Sequence, residues 1–451
     1  MRHSYSWDWV QAQVTRTIAE WNACPSQSVL AGPVFSAKEQ RRREQAYDEA
    51  LRAAEREARR VPRSRAQRLE AQDRMTEAFA RFSGVALDLD DNAIQLLTDD
   101  FLPAGTKLAQ WARQFDASLS MADIVQACRN AWTACGLQPL LGEEIRLTPS
   151  ILGYSLLYPY SDNYLDGEGI SSRQKLEFSE RFRERLRGER IEALSRREAA
   201  VWSLVALIED EFPRQRYPQV FDCLLAIHRA QEESIAQQRS AGDCDAPQVL
   251  RISCAKGGSS VLADACLSHG WLNEQESEFA FDWGVLLQLG DDLQDVREDA
   301  RRGSVTLFSR AALAGTPLDG LATRLLNFSE RVSDSMDGMR HGTAMLKGLL
   351  RMSWRSLIVM AMADSREFFT MGFLAEAERH SPFRFEFLRA RRDRLAGRRG
   401  LFATLFEAFL EPRQEPREEL REGDDGLPFA ADRIGRVYRI AVDPVTNLTA
   451  L

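Results

Sequence analysis

Five acids crowd into nine residues, Asp291, Asp292, Asp295, Glu298 and Asp299, within the stretch "GVLLQLGDDLQDVREDARRGS" at 284–304. Like charges three and four residues apart on a helix repel by about 0.2–0.5 kcal/mol per pair. At about 100° per residue, Gln288, Asp292, Asp295 and Asp299 fall within roughly 60° of one another, and Asp291 sits at the edge of the same stripe. The preceding "FAFDWGVLLQLG" is apolar nearly all round, so this helix should be buried. Buried, unpaired carboxylates protonate or find cations. Hard divalent cations, Mg²⁺ above all, prefer such oxygen ligands. The competing reading is a solvated helix end with Arg297, Arg301 and Arg302 as partners.

A second stretch has the same character. "YSLLYPYSDNYLDGEG" at 154–169 is apolar and aromatic, then places Asp162 and Asp166 four apart, with Tyr158 one turn earlier. If the two acidic helix ends face each other, they enclose a Mg²⁺ cluster. Beneath it would lie a pocket lined by Tyr158, Phe281, Trp283, Leu287 and Gln288. Mg²⁺ is commonly shared between carboxylates and substrate phosphates. Such a cluster suits a diphosphate whose other end is apolar. Lys256, in "CAKGGSSVLADA", with Arg173, Arg301 and Arg302, would complete the grip on the leaving group. An aromatic-lined, dry pocket would shelter the cation left behind. Asn163 lies about 100° from Asp162 on the helix and is expected to orient Asp166 or a basic neighbour.

The elements that must position these groups read as helices. "SAKE" at 36–39 and "SRAQ" at 64–67 have the capping-box pattern and open two charged helices within 36–82. Helical apolar spacing recurs from 93 to 378, including one continuous stretch over 274–300. The one strand-like stretch is "GRVYRIAV", near the end of the chain. "KGGSS" reads as a helix kink that lets a substrate approach. The expectation is an all-α bundle of about ten to twelve helices around a central pocket. It divides into a charged helical extension (1–90), a catalytic core (91–380) and a charged tail (381–451).

Composition bounds the function. The chain has 451 residues, 44% of them apolar, and a formal charge of −8, so no basic excess is available for nucleic acid. Seven scattered cysteines without a C-x-x-C pair suit a reduced, cytoplasmic setting. The histidines show no H-E-x-x-H spacing, which argues against zinc. No apolar run approaches the roughly 18 residues of a spanning helix. Peripheral membrane contact and homodimer formation are left open.

The two stretches resemble the paired aspartate-rich motifs of class I isoprenoid (terpene) synthases. "DNYLD" at 162–166 is similar to their Asp-Asp-x-x-Asp, with Asn163 in place of the second Asp. "QLGDDLQDVREDARRG" at 288–303 resembles the second motif of squalene and phytoene synthases, with Asp291 where that family has Asn. The tyrosine that follows in that family is replaced by Thr306. "SCAKGGSSVLADA" and the order of the middle helices look more like bacterial large-terpene synthases of the tetraprenyl-curcumene type. The resemblance covers roughly 150–310. It implies an isoprenoid-synthase-type fold and three Mg²⁺ ions held by Asp162, Asp166, Asp291, Asp292, Asp295 and Asp299. It implies ionisation of a prenyl diphosphate, then cyclisation or elimination to a terpene, with Asp162, Asp166, Asp295 and Asp299 central to catalysis. The alternatives are prenyl transfer, head-to-head or chain-elongating, and a non-catalytic helical protein with a relic site.

Overall fold

The computed structural model describes residues 4–27, 30–60, 62–166, 169–239, 245–398 and 405. Among them every regular element is helical, as the spacing predicts. "GRVYRIAV" lies outside the described residues. The chain opens with α1 (Trp7–Ala23), α2 (Ala37–Arg60) and α3 (Arg65–Ala86). Both predicted capping boxes are present. The Ser64 and Gln67 side chains cap each other's backbone N–H, and Glu39 accepts the Ser36 N–H at 2.7 Å. A short α4 (Asp91–Leu96) passes through a π-helical turn (Leu97–Phe101) into α5 (Leu102–Phe115). The Trp132 indole N–H donates to the Phe101 carbonyl at 2.8 Å and pins that turn.

The middle of the chain holds α6 (Met121–Leu140), α7 (Pro149–Asp166), α8 (Ser172–Arg187), α9 (Arg196–Glu211), α10 (Pro218–Arg239), α11 (Ala246–His269) and α12 (Glu274–Gln294). After α12 come α13 (Val296–Arg302), α14 (Leu307–Leu313), α15 (Asp319–Asp337), α16 (Ala344–Asp364), α17 (Met371–Arg379) and α18 (Phe385–Ala396). These exceed the expected ten to twelve, because several long periodic stretches are interrupted. The stretch 274–300 is one of them. Asp295, at φ −92° and ψ 5°, leaves the helix and separates α12 from α13. No helix among the described residues is long and apolar enough to cross a membrane.

Helix α11 is the axis of the bundle. It packs on α12, α10, α6 and α1, and most of its side chains are buried. Its glycines set the spacing. A Cβ on Gly284 would fall 2.1 Å from the Gly257 carbonyl oxygen, and one on Gly258 would fall 2.4 Å from the Phe281 ring. The "KGGSS" segment therefore lies within one α-helix, with its glycines turned to α12. It is a backbone-to-backbone contact where a substrate opening was expected.

Helix α1 is fastened to this core. The Arg16 guanidinium grips the buried Asp282 of α12 at 2.9 Å through two nitrogens, and the Thr17 hydroxyl adds a third bond at 2.6 Å. Further out, the acids of α2 meet arginines on and flanking α18. Glu44 takes Arg384 at 2.9 Å, Asp48 takes Arg391, and Glu55 takes both Arg394, at 2.8 Å, and Arg398. Six described cysteines are buried free thiols, and Cys244 lies outside the described residues.

Two glycine substitutions separate contact from propensity. Gly284→Ala forces α11 and α12 apart and should lower stability by about 2 kcal/mol or more. Gly348→Ala, on α16 with nothing within 4 Å of the added Cβ, should raise it by about 0.5–1 kcal/mol. Denaturant midpoints at constant m-value read both. Equal effects would mean that the glycine contact does not set the helix spacing.

Candidate functional site

The carboxylates of α12 and α13 sit where the buried helix leaves the core. Upstream, Phe279, Phe281, Val285, Leu286, Leu289 and Leu293 hold α12 in place, each at most 1% exposed. Asp292 is still buried. Its oxygens accept the Gln288 amide N–H at 2.8 Å and the Ser253 hydroxyl at 3.1 Å. Burial pushes the Asp292 carboxyl up to about 6 and neighbouring Asp291 adds to this, while its two hydrogen bonds and Lys256 act against it. Asp299 is pushed up to about 7, by burial first and then by repulsion from Asp292 and Asp295. Arg302 and Lys256 oppose the rise. Burial, then Asp291, also raises Asp295. The break at Asp295 interrupts the continuous stripe expected of a single helix, yet the acids still act on one another through space.

Asp291 is the exception, because it has a cation of its own. Arg129 of α6 reaches it at 2.9 Å. Asp291, ahead of Asp295 and Tyr158, raises the Arg129 guanidinium above its ordinary value. Sequence reading missed Arg129 and Ser253. Arg129 looks unremarkable in "QACRNAW", where the apolar rhythm already accounts for the helix. A lone arginine between buried positions was the available signal.

The predicted basic residues divide. Lys256, on α11, acts on both Asp292 and Asp299. Arg302 acts on Asp295 and Asp299, although its direct partner is Glu298 at 2.9 Å. Arg301 also turns to Glu298, at 3.7 Å. Arg297 leaves the site for Glu367. None of these three arginines pairs directly with Asp292, Asp295 or Asp299; Asp292 is buried, while Asp295 is exposed and Asp299 half-buried, so the solvated helix end still competes as the reading of those two. Arg173 is corrected. It lies well exposed on α8 and pairs with Glu177 one turn on, at 2.7 Å.

Asp162 and Asp166 fall in the last two turns of α7, and their side chains lie outside the described residues. Between them, Asn163 donates to Asp123 at 2.9 Å and to Gln126 at 3.5 Å, both on α6. It ties the end of α7 to the start of α6; the expectation was that it orients Asp166, whose side chain lies outside the described residues, or a basic neighbour. Pro159, inside α7, leaves the Ser155 carbonyl without its helical donor one turn before the acids. Helix α6 thus touches both acidic stretches, α7 through Asn163 and α12 through Arg129.

The expected pocket takes a different form. Phe281 is fully buried against Gly258 and the edge of Trp9, at 6.1 Å between centroids. Trp283 packs in the core against Trp354, the rings tilted at 58° with centroids 5.2 Å apart. Gln288 serves Asp292. Of the predicted set, Tyr158 lines a cavity of about 40 Å³ with Tyr154, Leu157, Phe182 and His228. Among the described residues no three His, Cys, Asp or Glu side chains converge closely enough to hold a metal ion by themselves. No protein-family model matches the chain, and no curated protein matches it.

The raised carboxyls carry a pH signature. A carboxyl whose folded pKa exceeds its unfolded value of about 3.9 costs nothing well below that pH, where both states are protonated. The cost then grows as pH rises through the window from there to about 7. In EDTA, Asp299→Asn should therefore raise the melting temperature, by more at pH 8 than at pH 5. A melting temperature unchanged or lowered at pH 8 would mean that the repulsion at Asp299 is already discharged.

Proposed function

We propose that this chain is a Mg²⁺-dependent class I terpene synthase of the isoprenoid-synthase fold, which ionises a prenyl diphosphate. The observation that carries the reading is the pair Asp295 and Asp299. Both carboxyls are raised by desolvation and by neighbouring acids, although Asp295 is exposed and Asp299 half-buried, and neither takes a hydrogen bond or ion pair from a described side chain. A hard divalent cation is what such an oxygen set lacks. Asp295 and Asp299 would hold it, with Asp292 behind them and Asp162 and Asp166 contributing from α7. Asp291, bound by Arg129, is a poorer ligand than expected. Bound metal supplies Lewis acidity that draws charge onto the departing diphosphate.

The chain's own residues supply the rest. Lys256, Arg129 and Arg302 place positive charge beside the acids, where a leaving diphosphate would collect it. Gln288 and Ser253 hold the Asp292 carboxylate in one orientation. Tyr158 joins the charged cluster, through Arg129, to the cavity between α7 and α10. At about 40 Å³ that cavity is far below the roughly 300–1,000 Å³ of typical ligand sites, so a prenyl chain must part α7 from α10. The same small volume favours a second reading, a helical protein that keeps the acids without turnover.

Incubation with a panel of prenyl diphosphates separates these readings. Release of inorganic diphosphate from one substrate alone, dependent on Mg²⁺, supports the synthase. A strict need for two substrates moves the assignment to prenyl transfer, and no release with any of them leaves the non-catalytic protein. Asp295→Ala and Asp299→Ala should each abolish release with the helical circular dichroism unchanged, and near-normal activity in either would sink the site assignment. Asn163→Ala should keep activity within roughly tenfold, about 1.4 kcal/mol of barrier, because Asn163 holds α6 and α7 together.

A further inference from the structure

A cavity lined by described residues lies away from the acidic cluster. It encloses about 380 Å³ between the first turn of α1 and the outward faces of α8 and α10. Its polar lining is rich in arginine: Arg183 and Arg187 from α8 and Arg229 from α10. Arg183 is bound by Glu232. Arg187 has no ionic partner among the described residues. Arg229 lies over the Trp7 ring at 4.5 Å and reaches Glu233 only at 3.5 Å, with both side chains well exposed. Of the two acids of the lining, Glu232 has an arginine partner and Asp222 a neutral one. Asp222 accepts the Ser4 hydroxyl at 2.8 Å, and Glu232 accepts the Ser179 hydroxyl at 2.5 Å besides binding Arg183.

The end of α1 adds backbone donors, whose positive potential is partly offset by Asp8 in the first turn. Ser6 satisfies the N–H groups of Trp9 and Val10, through its hydroxyl at 3.3 Å and its carbonyl at 3.1 Å. The Trp7 and Asp8 N–H groups have no carbonyl within the helix to bond. A 17-residue helix presents the positive end of its dipole there. Tyr5, Trp7, Leu225 and Ala226 give the cavity an apolar wall.

We propose that this cavity binds an organic phosphate, with the phosphoryl group on Arg187 and Arg229 and an apolar or aromatic body along Trp7 and Leu225. Arginine guanidinium groups match phosphoryl oxygens in pairs. Trp7 holds Arg229 over its ring and presents an aromatic wall to the ligand body. The site is separate from the acidic ladder and needs no metal, so it stands or falls independently of the proposed synthase activity.

The test is titration calorimetry of the full chain with phenyl phosphate in EDTA. Saturable binding is expected, weakened at least tenfold in the Arg187→Glu, Arg229→Glu double variant. Both side chains are exposed, and circular dichroism checks that the variant remains folded. Asp299→Asn should bind as the unaltered chain does. Absence of saturable binding, or unchanged affinity in the double variant, overturns the proposal. So does tighter binding in Asp299→Asn, which would put the phosphate beside the acidic ladder, where a removed negative charge favours an anion. Inorganic phosphate binding as tightly as phenyl phosphate would overturn the organic part of the assignment.

Discussion

The close approach of α11 to α12 at Gly257 and Gly284 governs the rest of the molecule. With no side chain on either glycine, the two helix backbones meet directly, and α12 sinks into the centre of the bundle. That depth determines what happens to the acids at its end. Asp292 is drawn inside with the helix, and Ser253 and Gln288 must complete its hydrogen bonding. Lys256, next to Gly257 in sequence, is delivered to the same carboxylates by the same contact. A wider spacing between the helices would leave Asp292 in water, as Asp295 already is.

The crowding of charge is tolerated because the fold supplies its constraint elsewhere. Repulsion from Asp292 and Asp295 acts on Asp299 across the break between α12 and α13. The apolar length of α12, its glycine contact and the buried Arg16–Asp282 pair hold it in place. Stability is thus generated upstream and partly given up at the acidic end, the distribution expected where a binding site is built into a stable scaffold. Arg129 removes part of the strain by neutralising Asp291, at the position where the resembling motif has a neutral residue.

Local signals carried much of this architecture into the sequence. Ser36–Glu39 and Ser64–Gln67 opened helices because capping uses residues three apart, within reach of inspection. The acidic stretch stood out because its charges are consecutive. What could not be read depends on partners distant in the chain. Arg129 and Asp291 are 162 residues apart, and nothing near either one announces the other. Phe281 and Trp283 have the composition of pocket walls and of core alike. Only the neighbours Gly258 and Trp354 decide that they are core. The break at Asp295 was hidden because helical periodicity survives a single non-helical residue.

The pairing of α2 with α18 has a consequence for the order in which the chain acquires its shape. Glu44 and Arg384 are 340 residues apart. At about 5–20 residues per second of synthesis, the acids of α2 emerge roughly 17–70 s before the arginines that neutralise them. During that interval α2 has α3 against one side, but its acidic face toward α18 is uncovered. Closure between segments so distant in sequence comes late and slowly. The arginines of α18 then act as a completion signal, locking the α2–α3 hairpin down only after the helices between them have been made.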